Sequence, residues 1–127
     1  MRLVNIERAK NGLPTLSTDE RLASIARAHS LDMLANNYFS HTNKSGCDPA
    51  CRLRNAGYAW TNYGENIYME WGYGRTLPEY AAAAVASWMK SAGHRANILG
   101  TRFTVGGVGV AKSGTRLYFT QLFALPR

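Results

Sequence analysis

The stretch "TLPEYAAAAVASWM", from Thr76 to Met89, constrains this chain more than any other. Thr76 and Glu79 have the spacing of a capping box, in which the threonine hydroxyl accepts a backbone N–H and the glutamate reaches back to the cap. Behind them Leu77, Tyr80, Ala81, Ala84, Val85, Trp88 and Met89 recur at i, i+3 and i+4. So regular a stripe predicts a helix from Leu77 to Ala92 that presses Tyr80, Ala84, Trp88 and Met89 onto a central antiparallel sheet. Gly93 then reads as a stop signal, since a residue without Cβ takes the left-handed conformation that ends a helix. On this reading His94 sits just past the helix end, aimed into a cleft.

The rest of the chain supplies the layers. Leu3 to Asn11 reads as a short helix stopped by Gly12 and Pro14, and Ser17 with Glu20 reads as a second capping box. The helix that follows carries the stripe Leu22, Ile25, Ala26, His29, Met33, so His29 is expected as a core imidazole with a hydrogen-bond partner. Glu65 to Trp71 alternates as a strand, and "FTVGGVGVA" and "RLYFTQLFAL" flank "KSGT" as an antiparallel hairpin. Strands and helices do not alternate regularly, which argues against a parallel doubly wound sheet and predicts an α+β layering of helices on a small sheet. At 127 residues the expectation is a single domain, 1–127, with a core of its own.

Composition excludes several function classes. No apolar run approaches the roughly 18 residues that span a bilayer, and the opening "MRLVNIERAKNG" lacks the apolar core of a signal peptide. The chain is therefore expected to lack a transmembrane segment, and to be either cytoplasmic or a mature domain trimmed of its export signal. Fifteen Lys and Arg against eight Asp and Glu give a formal charge of +7, which favours acidic partners. The basic residues are dispersed and accompany no nucleic-acid motif, so no specific nucleic acid is expected. "GGVGVAKSGT" resembles a phosphate loop faintly but lacks the Gly-Lys-Ser/Thr order, and neither Gly-x-Ser-x-Gly nor His-Glu-x-x-His occurs. Cys47 and Cys51 suit neither a zinc finger nor a Cys-x-x-Cys redox pair. A local disulfide closing an Asp-Pro turn is favoured over free thiols in an oxidising compartment.

Three polar segments lie at the edges of apolar elements: "NYFSHTN" with His41, "YGENIY" with Glu65, and "SAGHRANIL" with His94. Together with "LVNIERAKNGLPTL", "RAHSLDMLANNYFSHT", "WMKSAGHRANIL" and the final "GVGVA…YFTQLFA", they resemble the CAP or SCP-like domain of cysteine-rich secretory proteins, antigen 5 and plant pathogenesis-related proteins, in its short bacterial branch. The resemblance runs along essentially the whole chain. It implies a three-layer α-β-α sandwich, an extracellular or cell-envelope location, and a cleft where two histidines and two acidic residues meet. Some members bind zinc through the histidines, some bind sterols or fatty acids elsewhere, and proteolysis has been proposed for the family.

Carried over, the cleft histidines are His41 and His94 and the first acid is Glu65, with Asn66, Ser91 and Arg95 beside them. Where eukaryotic members place a glutamate three residues after the helical tryptophan, this chain has Ser91 after Trp88, so one acid of the tetrad is missing. Two imidazoles and Glu65 could be three zinc ligands with an open position. Glu65 could instead orient a histidine, leaving two ligands and weak Zn2+ affinity, or the cluster could be a polar knot without chemistry. Asn66 and Asn97 are expected to bridge backbone groups, Arg95 to be a surface cation or to pair with Glu65, and Tyr63, Tyr68, Trp71 and Tyr73 to line a groove or pack in the sheet. Two functions follow from the resemblance. One is a monomeric binding domain for metal and for a lipid, sterol or acidic envelope ligand; the other is a metal-dependent extracellular hydrolase with Glu65 as its candidate catalytic residue.

Overall fold

In the computed structural model, which describes residues 1–72 and 74–127, the expected helix is present as α4, Leu77–Met89. Its capping box forms in both directions, with Glu79 N–H donating to Thr76 Oγ1 at 3.3 Å and Thr76 N–H donating to Glu79 Oε1 at 2.9 Å. Before it come α1 (Arg2–Lys10), the two-residue β1 (Ser17–Thr18), α2 (Glu20–Asn36), α3 (Pro49–Asn55) and β2 (Trp60–Trp71). After it come α5 (Ala92–Ile98), β3 (Val105–Ser113) and β4 (Arg116–Pro126). The strands form one sheet in the order β1-β3-β4-β2. β4 runs antiparallel to both β2 and β3, as the sequence predicts for the hairpin, and β1 adds a short parallel edge to β3.

β4 is central, and its residues from Leu117 to Ala124 are all buried because both faces of the sheet are covered. On one face Leu117, Phe119 and Phe123 pack with Val4 of α1, Tyr80, Ala84 and Trp88 of α4, and Ile98 of α5. On the other, Leu122 and Ala124 pack with Leu22 and Ala26 of α2 and Leu53 of α3. These are the three layers of the α-β-α sandwich. Trp88 is 3% exposed, and its indole N–H donates to the Ile67 carbonyl at 2.9 Å, which pins α4 to β2.

The glycines of "GGVGV" serve packing. A Cβ on Gly107 would lie 2.3 Å from the Ala23 nitrogen, and one on Gly109 would lie 2.0 Å from the Arg27 nitrogen, so the α2 backbone rests directly on β3. Buried Ser30 completes that contact, with its hydroxyl 3.0 Å from the Gly109 carbonyl and 2.8 Å from Thr120 Oγ1. One arginine is not a surface cation at all. Arg8 is 1% exposed and donates to the carbonyls of Pro14, Ile98 and Gly100, tying α1 to the end of α5.

Two sequence expectations are corrected. Ser17 does not cap α2: Ser17 and Asp19 bond through their backbone N–H groups to Thr104 and Gly106, which holds Ser17 in β1. Asp19 caps instead, its Oδ1 accepting from Arg21 and Leu22 N–H, because its carboxylate lies one residue before the first helical position. Nor does Gly93 end α4. That helix closes at Lys90, Ser91 is extended, and Gly93 lies in the first turn of α5 without a positive φ. His94 is therefore a helical residue of α5 rather than part of a turn.

Candidate functional site

The "GENI" stretch, residues 64–67, is buried along β2. Gly64 leaves the space that Asn97 needs, since a Cβ there would come within 2.8 Å of Asn97 Oδ1. Asn97 Nδ2 lies 3.2 Å from the Glu65 carbonyl and 2.9 Å from Asn66 Oδ1, and Asn66 Nδ2 donates to the His94 carbonyl at 3.1 Å. The two asparagines thus bridge backbone and lock α5, with His94, against the strand that carries Glu65.

Glu65 is held from the other side. Arg52 of α3 donates to both of its oxygens, at 2.7 and 3.1 Å, and His41 Nδ1 donates to Oε1 at 2.9 Å. The Glu65 side chain is only 2% exposed. Burial pushes its carboxyl upward, but the hydrogen bonds from His41 and Arg52 outweigh that and hold it below the usual carboxylate range. A carboxylate accepts only, so the proton of His41 sits on Nδ1 and the lone pair of Nε2 is left bare on a half-exposed ring. Arg52 also donates to the His41 carbonyl at 2.6 Å, while buried His29 donates from Nε2 to the Ser40 carbonyl at 2.8 Å. These two bonds fix the loop that presents His41.

His94 is organised separately. Its Nδ1 lies 2.9 Å from Ser91 Oγ, the residue that stands at the N-cap of α5 yet makes no capping bond with its side chain. Burial, then the nearby His41, lowers the His94 pKa below its ordinary value, so the ring is neutral at physiological pH. Ser91 stands where the missing acid of the tetrad would be, and it takes up one imidazole nitrogen. The other is free.

The remaining candidates sort plainly. Arg95 is exposed, and the guanidinium on Glu65 is that of Arg52, a residue that no sequence motif sets apart from the other dispersed basic residues. Arg52 follows Cys51 directly, and Cys47–Cys51 is a disulfide with Cα atoms 5.3 Å apart, so the bridge joins the end of the His41 loop to the helix that carries Arg52. His29 is buried as expected, with its Nδ1 unpartnered. Tyr63 packs towards α2 and α3, whereas Tyr68 stands edge-on to Trp88 on the opposite face, so strand alternation separates them and they line no common groove. Trp71 is exposed, and Tyr73 lies outside the described residues.

Among the described residues no group of three His, Cys, Asp or Glu side chains is placed to hold a metal ion. The three-ligand set with Glu65 does not form, since both Glu65 oxygens are engaged. What the geometry offers is two imidazoles, each oriented by a partner on its other nitrogen, as metal-binding histidines are.

Comparison with known proteins agrees with this architecture. The profile of the cysteine-rich secretory protein (CAP) family matches residues 1–123. The chain belongs to the CAP family. It is 41% identical over 123 residues to the uncharacterised protein YkwD of Bacillus subtilis, covering 97% of this chain and 44% of that one. This CAP chain thus spans less than half the length of that relative. Among solved structures it resembles an extracellular SCP-domain protein of Bacillus anthracis, with TM-score 0.82, 37% identity, and coverage of 96% of this chain and 37% of the other. It shares its fold with an outer surface protein of Borrelia burgdorferi, at TM-score 0.84, 20% identity, and coverage of 99% and 89%. No helix among the described residues is long and apolar enough to cross a membrane.

Proposed function

We propose that this CAP domain works outside the cytoplasm as a binding domain, whose two-imidazole cleft takes a divalent metal such as Zn2+ weakly and does no hydrolysis. One observation supports binding over catalysis: Glu65, the one carboxylate of the cleft, is engaged by Arg52 and His41 at both oxygens and sits below the usual carboxylate range. A general base must be free to take a proton at working pH, and such a carboxylate is not. Glu65 orients His41 instead. Two neutral nitrogen donors bind zinc less tightly than the three or four ligands of dedicated sites. With both imidazoles taken up as metal ligands, the hydrolase reading is left without a carboxylate base.

Calorimetric titration with zinc at pH 7.5 tests this. Binding in the wild type, loss in both His41→Ala and His94→Ala, and weakening as pH falls below about 6.5 are expected, because protonated imidazole does not ligate. Equal affinity in all three proteins removes the metal site. Zinc-restored peptide or ester turnover that vanishes in His94→Ala would favour the hydrolase.

The lipid part of the reading rests on a different place. A cavity of about 340 Å³ between α1, α4 and the sheet is lined by Ala81, Val85, Trp88, Val108, Phe119 and Gln121, among others. Gln121 is fully buried and its Oε1 has no partner, so an apolar ligand bearing a hydroxyl suits the cavity. A labelled fatty alcohol that binds the wild type as well as it binds Ala81→Phe would rule this out.

A further inference from the structure

We propose that the groove between the end of α3 and the start of β2 binds an anionic saccharide, a sugar unit carrying phosphate or carboxylate. The groove has a volume of about 560 Å³ and is lined by Arg54, Gly57, Tyr58, Ala59, Trp60 and Arg127. It extends the binding-domain reading to a face other than the imidazole cleft. Arg54 follows Arg52 by two residues, a rotation of about 200° around α3, so the former is exposed while the latter reaches Glu65.

Charge decides what this groove accepts. Arg127 donates from its backbone to the Ala59 carbonyl at 3.2 Å and from Nη2 to the Trp60 carbonyl at 3.1 Å. Behind the groove Arg21 lies over the Tyr58 ring at 5.1 Å and donates to the Ala56 carbonyl at 3.1 Å. The lining carbonyls of Ala59 and Trp60, and that of neighbouring Ala56, are thus each taken by an arginine. Three side-chain carboxylates of the neighbouring elements are engaged as well: Asp19 accepts from the Tyr58 hydroxyl at 2.7 Å and caps α2, Asp48 caps α3, and Glu65 is locked by Arg52. Among the described residues, no ion pair joins Arg21, Arg54 or Arg127 to a side-chain carboxylate. A groove lined by guanidinium donors favours anions, and an arginine fork fits phosphate and carboxylate alike.

The aromatic wall decides the rest. Trp60 is half-buried and stands edge-on to Tyr63, with ring centroids 5.6 Å apart, so its indole is fixed before any ligand arrives. A sugar ring can lay its C–H face on such a ring while its charged substituent meets the arginines. The net charge of +7 favours acidic polymers in the same direction.

Titration of the intact chain with polygalacturonate, with phosphorylated dextran and with neutral dextran tests the proposal. At least one charged polymer is expected to bind and neutral dextran is not; which charged polymer binds separates carboxylate from phosphate as the natural group. Arg54→Gln/Arg127→Gln should weaken that binding about tenfold. Lys10→Gln/Lys90→Gln, which removes the same charge elsewhere, should leave it within about twofold. Zinc titration of the arginine variant should match the wild type, so that failure of the groove and failure of the cleft are told apart. Absence of binding to both charged polymers, equal weakening by the lysine variant, or tighter binding of a single-stranded oligonucleotide than of either saccharide would each overturn the proposal.

Discussion

On one side of β4, Leu117 and Phe119 meet Tyr80, Ala84 and Trp88 of α4 in an apolar layer. Beside β2, Glu65 meets Arg52 and His41 in a polar corner where almost every contact is a directional hydrogen bond. The first region is held by area: side chains at helical spacing cover a sheet face, and no single bond decides the outcome. The second is held by valence. Removing one partner there strands another buried charge, because residues from α2, α3, the His41 loop and β2 satisfy one another. The apolar layer should therefore be costly to empty and indifferent to pH, and the polar corner sensitive both to protonation and to the identity of single residues.

The largest expected effect is in the apolar layer. Trp88→Ala should cost roughly 3 to 5 kcal/mol, towards the upper end because the bond from the indole to the Ile67 carbonyl is lost along with the packing. Urea denaturation at pH 7.5 and at pH 5.5 checks both claims. A loss that changes strongly with pH would break the contrast between the two regions.

A smaller loss, about 3 kcal/mol, is expected for Arg52→Met, since among the described residues it leaves the buried Glu65 side chain with His41 as its one remaining hydrogen-bond donor. The double variant Arg52→Met/Glu65→Gln should recover much of that, because a neutral amide tolerates burial better than an unpaired carboxylate. Glu65 has a depressed folded pKa, so its contribution is present at neutral pH and is lost as pH falls below the ordinary carboxylate value towards the folded one. Arg52→Met should flatten that acid limb. A cost below about 0.5 kcal/mol, typical of surface sites, would show that the corner is not the coupled unit described.

The contrast also explains what could be read from the sequence. α4, the β3–β4 hairpin and the α+β layering follow from patterns of 3.6 and 2 residues, which are local and repeat many times. Glu65, His41 and His94 stand out only through the resemblance of their segments to the CAP domain, and the Cys47–Cys51 bridge by its short spacing. Arg52 does not, because nothing local distinguishes it from Arg54: one meets a buried carboxylate and the other solvent, and only the packing of α3 on β2 decides which. β1 escaped for a similar reason, since two residues have no period and Ser17 carries a capping signal as good as that of Asp19. Gly93 reads as the break between α4 and α5 because glycine commonly ends helices, whereas the chain breaks at Ser91, whose hydroxyl turns to His94.

The smallest effect is absent at pH 7.5 and appears only on acidification. His29 is 1% exposed, and its Nε2–H donates to the Ser40 carbonyl, so protonation would place a charge on an Nδ1 that has no partner. Burial, and then the charge of Arg52, lower its pKa below 6.5, against a smaller opposite pull from Glu65, the Ser40 carbonyl and Asp32. The unfolded chain therefore binds this proton first. Stability from His29 is complete above about 6.5 and is lost as pH falls from there through the folded value. His94 acts in the same direction, so the comparison must be made in a His94→Gln background. There, His29→Gln should flatten the fall in melting temperature between pH 7 and pH 5.5, while Trp88→Ala lowers the curve without changing its slope. Amide protection at residues 40–43, taken relative to the intrinsic exchange rate at each pH, should fall over the same range, because the bond from His29 to Ser40 anchors the His41 loop. Identical pH slopes with and without His29 would show that the polar corner does not sense protons through this residue.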